Sequence, residues 1–247
     1  MPLLEHLGEL RKRIFYMLIV IVIGMVIGLI IAEPAYNFLM SQEPANGLSL
    51  NAFSLWDGIG MYMKFALVIA LIITIPFTAF QIWSFVKPAL KKNEQRATIK
   101  YIPFALIMFL IGLSFSYFVV FPLAFHFTRS VSANLNLVET IGITQYFSFM
   151  FNILIPISLL FELPLVIMFL TAIRVLNPIR LRKMRRFAYF VMIFVGVLVT
   201  PPDFISDILV AIPLILLYEV SVFISASVYR KQLAAAKKWE DEGQELQ

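Results

Sequence analysis

The chain has 247 residues, of which 61% are hydrophobic and only 14% are charged, with a formal net charge of +5. A soluble globular domain of this size could not bury so much apolar surface, so that class is excluded and lipid must surround much of the chain. Because the sequence contains no cysteine, disulfides, thiol catalysis and thiolate metal sites are excluded as well.

Six charge-poor segments divide the chain, and each is predicted to form a transmembrane helix. Crossing a hydrocarbon core of about 30 Å takes roughly 20 apolar residues. The segments cover residues 14–32, 65–86, 101–128, 140–173, 187–202 and 208–229. The fifth offers about 15 residues, or roughly 22 Å, and must therefore end early, thin the bilayer locally or be shielded by neighbours.

The predicted fold class is thus an all-α membrane protein with six transmembrane helices. Residues 1–229 are predicted to form one transmembrane domain, and residues 230–247 a flexible C-terminal tail. Eighteen of the 20 Lys and Arg residues fall on one side of this topology. Since cytoplasmic loops carry an excess of Lys and Arg, both termini are predicted to be cytoplasmic in a multi-pass protein of the inner membrane. The same bias attracts anionic membrane lipid and does not indicate a nucleic-acid partner.

Short patterns refine this topology along the chain. A short interfacial helix is predicted before the first span. Gly24 and Gly28 then form a Gly-x-x-x-Gly pair that allows close helix contact, for which packing inside the molecule is the preferred interpretation. Outer loops are predicted at residues 33–57 and 130–139. In the tight turn before helix six, Pro201 and Pro202 end helix five, Asp203 can cap helix six and Asp207 sits in its first turn.

Two carboxylates, Glu162 and Glu219, fall inside predicted spans, roughly 17 Å from the nearest cytoplasmic charges. An ionisable group at that depth costs at least about 2.5 kcal/mol, so both are expected to face protein or water. Helix four also carries a polar stripe on the arc of Glu162, formed by Gln145, Ser148, Asn152 and Ser158. Two interpretations stay open: a hydrogen-bonded cluster that joins helices four and six, or a docking site for another transmembrane helix or a translocating segment.

Glu9 and Glu94 lie beside the bilayer on a face that is otherwise positive. Two separately placed carboxylates suit two guanidinium groups, each bound in a bidentate manner, and lysine would match less well. The residues alone favour local pairing instead, of Glu9 with Arg13 at i+4 and of Glu94 with Lys91 or Arg96.

No catalytic site, metal site or cofactor is predicted. His6 and His126 are predicted to fall on opposite sides of the membrane, which argues against a histidine metal cluster. The sequence contains no Gly-x-Ser-x-Gly elbow, no Walker loop and no His-Glu-x-x-His.

Five segments carry a family resemblance. They are HLGELRKR at 6–13, QIWSFVKPAL at 81–90, YFVVFPL at 117–123, FELP at 161–164 and TPPD at 200–203. With these motifs in order and on matching helices, the chain resembles TatC, the core subunit of the twin-arginine protein translocase, from Leu3 to Tyr229. The resemblance also implies a cupped bundle in which helices five and six are short.

The resemblance implies binding of twin-arginine signal peptides of folded cargo at the cytoplasmic face. Glu9 and Glu94 match the carboxylates that contact the arginine pair, and Arg11 and Phe85 complete the predicted site. Glu162 matches an intramembrane acid of the family. The outer turn associated with function is matched by Pro201, Pro202 and Asp203.

The implied partners are single-helix subunits of the TatA type, TatB in some organisms, and further copies of the chain. Transport in the family is driven by the proton-motive force, without a cofactor in this subunit. Asp207 stands where relatives often have Gln, so its role is left open. The alternative function is a proton-coupled small-solute transporter that uses Glu162 and Glu219, although the sequence shows no internal repeat or paired broken helices.

Overall fold

The computed structural model describes residues 3–89, 95, 99, 101–200 and 204–245. Within them the chain is helical with no extended strand, which confirms the all-α prediction. The helices are α1 (Leu3–Met40), α2 (Asp57–Val86), α3 (Tyr101–Phe115), α4 (Phe121–Asn134), α5 (Ile143–Leu160), α6 (Leu163–Ala172), α7 (Pro178–Lys183), α8 (Arg185–Val199) and α9 (Phe204–Glu245). A 3-10 turn, Lys87–Ala89, follows α2, and a π-helical turn, Ser116–Val120, joins α3 to α4.

Five helical segments of the described chain are long and apolar enough to cross a membrane. They are Gly8–Met40, Asp57–Val86, Ile102–Asn134, Ile143–Ala172 and Asp207–Ala234. Helix α8 corresponds to the fifth predicted helix and has 15 residues, which at 1.5 Å per residue is about 22 Å. The chain is therefore a multi-pass membrane protein, and its fifth predicted helix is as short as the sequence indicates.

Helices α1 and α2 pack closely along their length because α1 presents glycine to α2. A Cβ atom added at Gly24 would lie 3.0 Å from the Cα atom of Ala70, and one at Gly28 would lie 2.6 Å from the carbonyl oxygen of Ala66. Only glycine leaves room for this backbone approach. Packing of the glycine pair inside the molecule is thus confirmed.

An aromatic cluster fixes α2, α4 and α5 against one another. The ring of Phe65 lies 5.1 Å from those of Phe147 and Phe151, in edge-to-face arrangements. Phe121 contacts Tyr146 in the same way at 5.6 Å. All five side chains are buried, and edge-to-face pairs add to the stabilisation that their burial provides. The centre of the bundle is therefore rigidly packed.

The two outer loops are joined by backbone hydrogen bonds. The N–H of Asn51 donates to the carbonyl of Ile141 at 2.9 Å, and the N–H of Ile143 donates to the carbonyl of Asn51 at 2.8 Å. Nearby, the Asp57 carboxylate accepts the N–H of Phe53 at 2.7 Å. These bonds hold the start of α2 beside the start of α5.

Two predicted loop boundaries are wrong. Helix α1 continues past Glu33 and Pro34 to Met40, because side chains such as Tyr36 and Leu39 pack on the core and retain the helix despite the proline. Helix α4 likewise continues to Asn134, beyond the predicted start of the second loop. Residues that are typical of loops therefore do not mark the ends of these two helices.

The sixth helix is longer than predicted. Helix α9 has 42 residues and runs through the segment that the sequence predicts as a tail, to Glu245. The residues after Arg230 include Lys, Gln and three Ala, which favour helix and do not interrupt it. The side chain of Gln232 donates to the carbonyl of Ala172 at 2.7 Å, so this part of α9 also contacts α6.

Candidate functional site

Arg13 connects α1 to the end of α2 through Glu9 and Gln81. Its Nη2 and Nε atoms lie 2.5 and 3.2 Å from Oε1 of Glu9. Its Nη1 atom donates to Oε1 of Gln81 at 3.1 Å. The side chain of Glu9 is 30% exposed, whereas that of Arg13 is 17% exposed. The predicted i+4 pairing of Glu9 is confirmed, and the carboxylate is still accessible from outside the protein.

The other predicted binding residues are only partly described. Arg11 is exposed on α1, and Phe85 is half-buried in the last turn of α2. Glu94 lies outside the described residues, so its position relative to Glu9 stays a prediction. Its sequence neighbour Gln95 donates to the carbonyl of Lys87 at 2.9 Å. Position 95 is thus held against the end of α2.

Glu162 lies at the break between α5 and α6, in the N-cap position of α6. Phe161, the residue before Glu162, holds the break by packing against the backbone of α3 at Gly112. The packing is close, since a Cβ atom added at Gly112 would lie only 2.8 Å from the Cβ atom of Phe161. The Oε1 atom of Glu162 is buried and has no hydrogen-bond partner among the described residues. A buried acceptor without a partner is uncommon and calls for an explanation.

The predicted polar stripe of helix four does not form one cluster. Lys64 donates to the hydroxyl of Ser148, which donates in turn to the carbonyl of Thr144. Ser158 is buried, with its hydroxyl 2.6 Å from the carbonyl of Leu154. The two amides of the stripe, Gln145 and Asn152, are exposed instead.

Glu219 of α9 is bound to two residues of α8. Its Oε2 atom lies 2.7 Å from Nη2 of Arg185, and its Oε1 atom accepts the hydroxyl of Tyr189. This cluster joins α8 to α9, which correspond to predicted helices five and six. It does not join predicted helices four and six. Helices four and six meet at another point, where the hydroxyls of Thr171 and Ser225 lie 2.7 Å apart.

The outer turn is only partly described. Pro201, Pro202 and Asp203 lie outside the described residues. On either side of them, the hydroxyl of Thr200 lies 2.8 Å from Oδ1 of Asp207, which confirms Asp207 in the first turn of α9. Asp207 therefore connects the end of α8 to the start of α9.

No group of three or more metal-binding side chains occurs among the described residues. The polar groups described above are carboxylates, amides, hydroxyls and cations, and most of them contact other protein groups.

The comparison with known proteins decides the family. The profile of the family described as "Sec-independent protein translocase protein (TatC)" matches residues 5–213. The chain belongs to the TatC family.

Relatives agree over most of the chain. TatCy of Bacillus subtilis is 41% identical over 94% of this chain and 91% of its own length. TatC of Escherichia coli is 34% identical over 91% of this chain and 88% of its own length.

Two crystal structures of the twin-arginine translocase receptor TatC share the fold. Their TM-scores are 0.74 and 0.77 at 29% and 30% identity, over 90% and 89% of this chain and 99% of each of those chains.

The TatC match covers most of the predicted site residues. Glu9, Phe85, Glu94 and Glu162 fall within residues 5–213, whereas Glu219 lies beyond them. The family consists of protein translocase components and is not an enzyme family.

Sequence reasoning missed Arg185 and Tyr189, the two partners of Glu219. The sequence places Arg185 between the fourth and fifth apolar segments and Tyr189 inside the fifth. The signal was available in Glu219 itself, because an acid inside a span is expected to pair with a cation. The short fifth helix that begins at Arg185 brings that cation to the required depth.

Proposed function

We propose that this chain is the core, signal-peptide-receiving component of a twin-arginine protein translocase in the cytoplasmic membrane. The observation that carries the proposal is the family match over residues 5–213, together with the shared fold of relatives named as the receptor TatC. The cargo is a folded protein whose signal peptide carries paired arginines, and export is driven by the proton-motive force.

The arginine pair binds at Glu9 and Glu94. The contact between Glu9 and Arg13 supports this assignment, because it shows that the carboxylate already accepts a guanidinium group. A signal-peptide arginine would replace Arg13 with a group of the same charge and shape. Gln81 would continue to bind Arg13 after the exchange. Arg11 and Phe85 flank the bound peptide.

Both termini lie in the cytoplasm in this proposal. The support is the distribution of basic residues, since 18 of 20 fall on the side of the two termini. Glu9 then faces the compartment in which folded cargo is made.

Single-helix subunits of the TatA type, and TatB where it is present, dock at Glu162. This acid lies three and four residues before Leu165 and Val166, on the same face of the chain. Those two residues line an apolar cavity of about 250 Å³ between α2, α3 and α6. Apolar side chains of a docked helix would fill the cavity, and a polar group on that helix would bind Glu162 once docking brings it to the buried oxygen. Gln145 and Asn152 offer further exposed polar contacts on helix four, and further copies of the chain complete the complex.

A small-solute transporter is less well supported. That function would use Glu162 and Glu219 as proton carriers. The carboxylate of Glu219 is held by Arg185 and Tyr189, so both of its oxygens already contact protein groups.

Photocrosslinking tests the proposed function. A photoreactive residue at position 10, an exposed position beside Glu9, leaves both carboxylates in place. In the full chain with its partner subunits in vesicles, it should crosslink to a twin-arginine peptide and much less to a twin-lysine peptide. The matched control is position 15, because Phe15 is 61% exposed on the same helix but lies about 120° around it from Glu9. Equal crosslinking of both peptides, or equal crosslinking from position 15, would refute the site.

A binding measurement gives the contribution of Glu94 to the affinity for the signal peptide. Glu94→Ala should weaken peptide binding by roughly 10- to 100-fold, since charge-assisted hydrogen bonds contribute about 1.5–3 kcal/mol. Glu94→Asp, which keeps the charge, should recover part of the loss. Unchanged affinity in Glu94→Ala would contradict the assignment.

A further inference from the structure

After α6 the chain turns back along α9. The Thr171 hydroxyl at the end of α6 lies 2.7 Å from that of Ser225. Ten residues later, the carbonyl of Leu181 in α7 accepts the hydroxyl of Tyr218 at 2.7 Å. Ser225 and Tyr218 are seven residues apart on α9, or about 10 Å along its axis. Helix α7 therefore contacts α9 at a level about two turns closer to the start of α9 than the end of α6 does.

Helix α7 is fixed at this depth. The side chain of Asn177 accepts the N–H of Ile179 at 2.9 Å and starts the helix. Pro178 and Leu181 are buried against the bundle. The ion pair of Arg185 with Glu219 then anchors the start of α8.

The opposite side of α7 is basic. Four exposed cations lie on α7 and the first turn of α8, and together they form what is called here the basic corner: Arg180, Arg182, Lys183 and Arg186. None of the four forms an ion pair with a described residue. No Asp or Glu occurs in the sequence between Glu162 and Asp203, so the local charge is uncompensated along the chain.

Exposed apolar side chains alternate with these cations. Ile179, Met184 and Phe187 are 68%, 54% and 63% exposed. A surface that mixes basic and apolar side chains beside a membrane-spanning helix matches both parts of a phospholipid, the phosphate and the acyl chains. A nucleic acid or a soluble anion would satisfy only the charges.

We propose that the basic corner is a binding site for the phosphate groups of anionic phospholipids. One guanidinium group can bind two oxygens of the same phosphate. The exposed apolar side chains of the corner contact the acyl chains. Because α7 contacts α9 about two turns closer to the start of α9 than the end of α6 does, the bound headgroups are drawn toward the bilayer centre, which matches the short span of α8. The site is separate from the proposed peptide site and does not depend on it.

Lipid selectivity tests the site directly. The full chain is reconstituted in phosphatidylcholine vesicles that contain a trace of spin-labelled phosphatidylglycerol or spin-labelled phosphatidylcholine. Electron paramagnetic resonance then gives the immobilised fraction of each lipid. We expect the wild-type chain to prefer phosphatidylglycerol by about threefold when averaged over all the lipids in contact with it, because basic residues near a surface attract anionic lipid. No preference in the wild-type chain would overturn the proposal.

Two triple variants test whether the lipid preference depends on the basic corner or only on the total charge of the protein. The variant Arg180→Gln, Arg182→Gln, Lys183→Gln should lose most of the preference. The control Lys12→Gln, Lys87→Gln, Arg230→Gln removes the same charge from exposed positions elsewhere and should retain most of it. Equal losses in the two variants would overturn the proposal.

Two measurements on the wild-type chain complete the test. Inorganic phosphate should reduce the lipid preference no more than sodium chloride of equal ionic strength, and a larger reduction would assign the site to a soluble anion instead. Photoactivatable phosphatidylglycerol should label residues 178–187 more than photoactivatable phosphatidylcholine does. Equal labelling by the two lipids would overturn the proposal without requiring any variant to fold.

Discussion

The ion pair between Arg185 and Glu219 is expected to stabilise the contact of α8 with α9. The nitrogen and oxygen atoms lie 2.7 Å apart, and the two side chains are 42% and 33% exposed. Breaking a fully buried pair costs about 3–5 kcal/mol, whereas exposed pairs contribute about 0.2–1 kcal/mol. At this intermediate exposure we expect a coupling free energy of about 1–2 kcal/mol.

A double-mutant cycle measures this coupling. Glu219→Ala, Arg185→Ala and the double variant are unfolded in mixed micelles by increasing the fraction of a denaturing detergent, with loss of helix as the signal. Glu219→Ala should cost about 2–3 kcal/mol, because it also removes the acceptor of Tyr189. The double variant should be less destabilised than the sum of the two single variants.

The outer ion pair of Arg129 with Glu139 is the matched control. Its atoms lie 3.0 Å apart, and the Arg129 and Glu139 side chains are 50% and 25% exposed. Because the two pairs are similarly exposed and this contact is longer, its coupling should be the smaller one, below about 1 kcal/mol. A coupling for Arg185 and Glu219 no larger than that of the outer pair would refute the reasoning.

Two further predictions concern packing and docking. Gly28→Ala should destabilise the fold by about 1–3 kcal/mol, because its Cβ would lie 2.6 Å from the Ala66 carbonyl oxygen; Gly58→Ala, which meets no atom within 4 Å, should not, and equal unfolding midpoints would contradict this. Glu162→Gln should leave stability within about 1 kcal/mol, since the buried oxygen has no described partner to lose; it should reduce crosslinking to single-helix subunits in vesicles, and unchanged crosslinking would argue against docking there.

The fold was largely predictable because lipid imposes a simple rule on the sequence. Long apolar stretches must be helical, since no other structure satisfies the backbone inside a bilayer. Helix ends were less predictable. Tyr36 and Leu39 keep α1 helical beyond Pro34 through contacts with the core, and those contacts involve residues distant in sequence.

In the candidate site too, local contacts were predictable from the sequence and contacts between distant residues were not. The pairing of Glu9 with Arg13 is local, at i+4, so the spacing alone predicted it correctly. The partners of Glu219 lie 34 and 30 residues away in sequence, and no spacing rule connects them. The stripe on helix four was drawn from helical periodicity, but Pro156 lies within α5 and a break follows at Glu162.

The sequence by itself determined that this protein is a multi-pass helical membrane protein of the TatC family with a short fifth helix. Composition, charge placement and local motifs depend only on neighbouring residues and on the solvent. Only the tertiary structure decided which polar groups are already satisfied. It showed that Glu219 is bound by α8 and that an oxygen of Glu162 is buried without a described partner. It also showed that α7 contacts α9 about two turns closer to the start of α9 than the end of α6 does. Each of these depends on the depth at which separate helices meet, which is set by packing between distant segments.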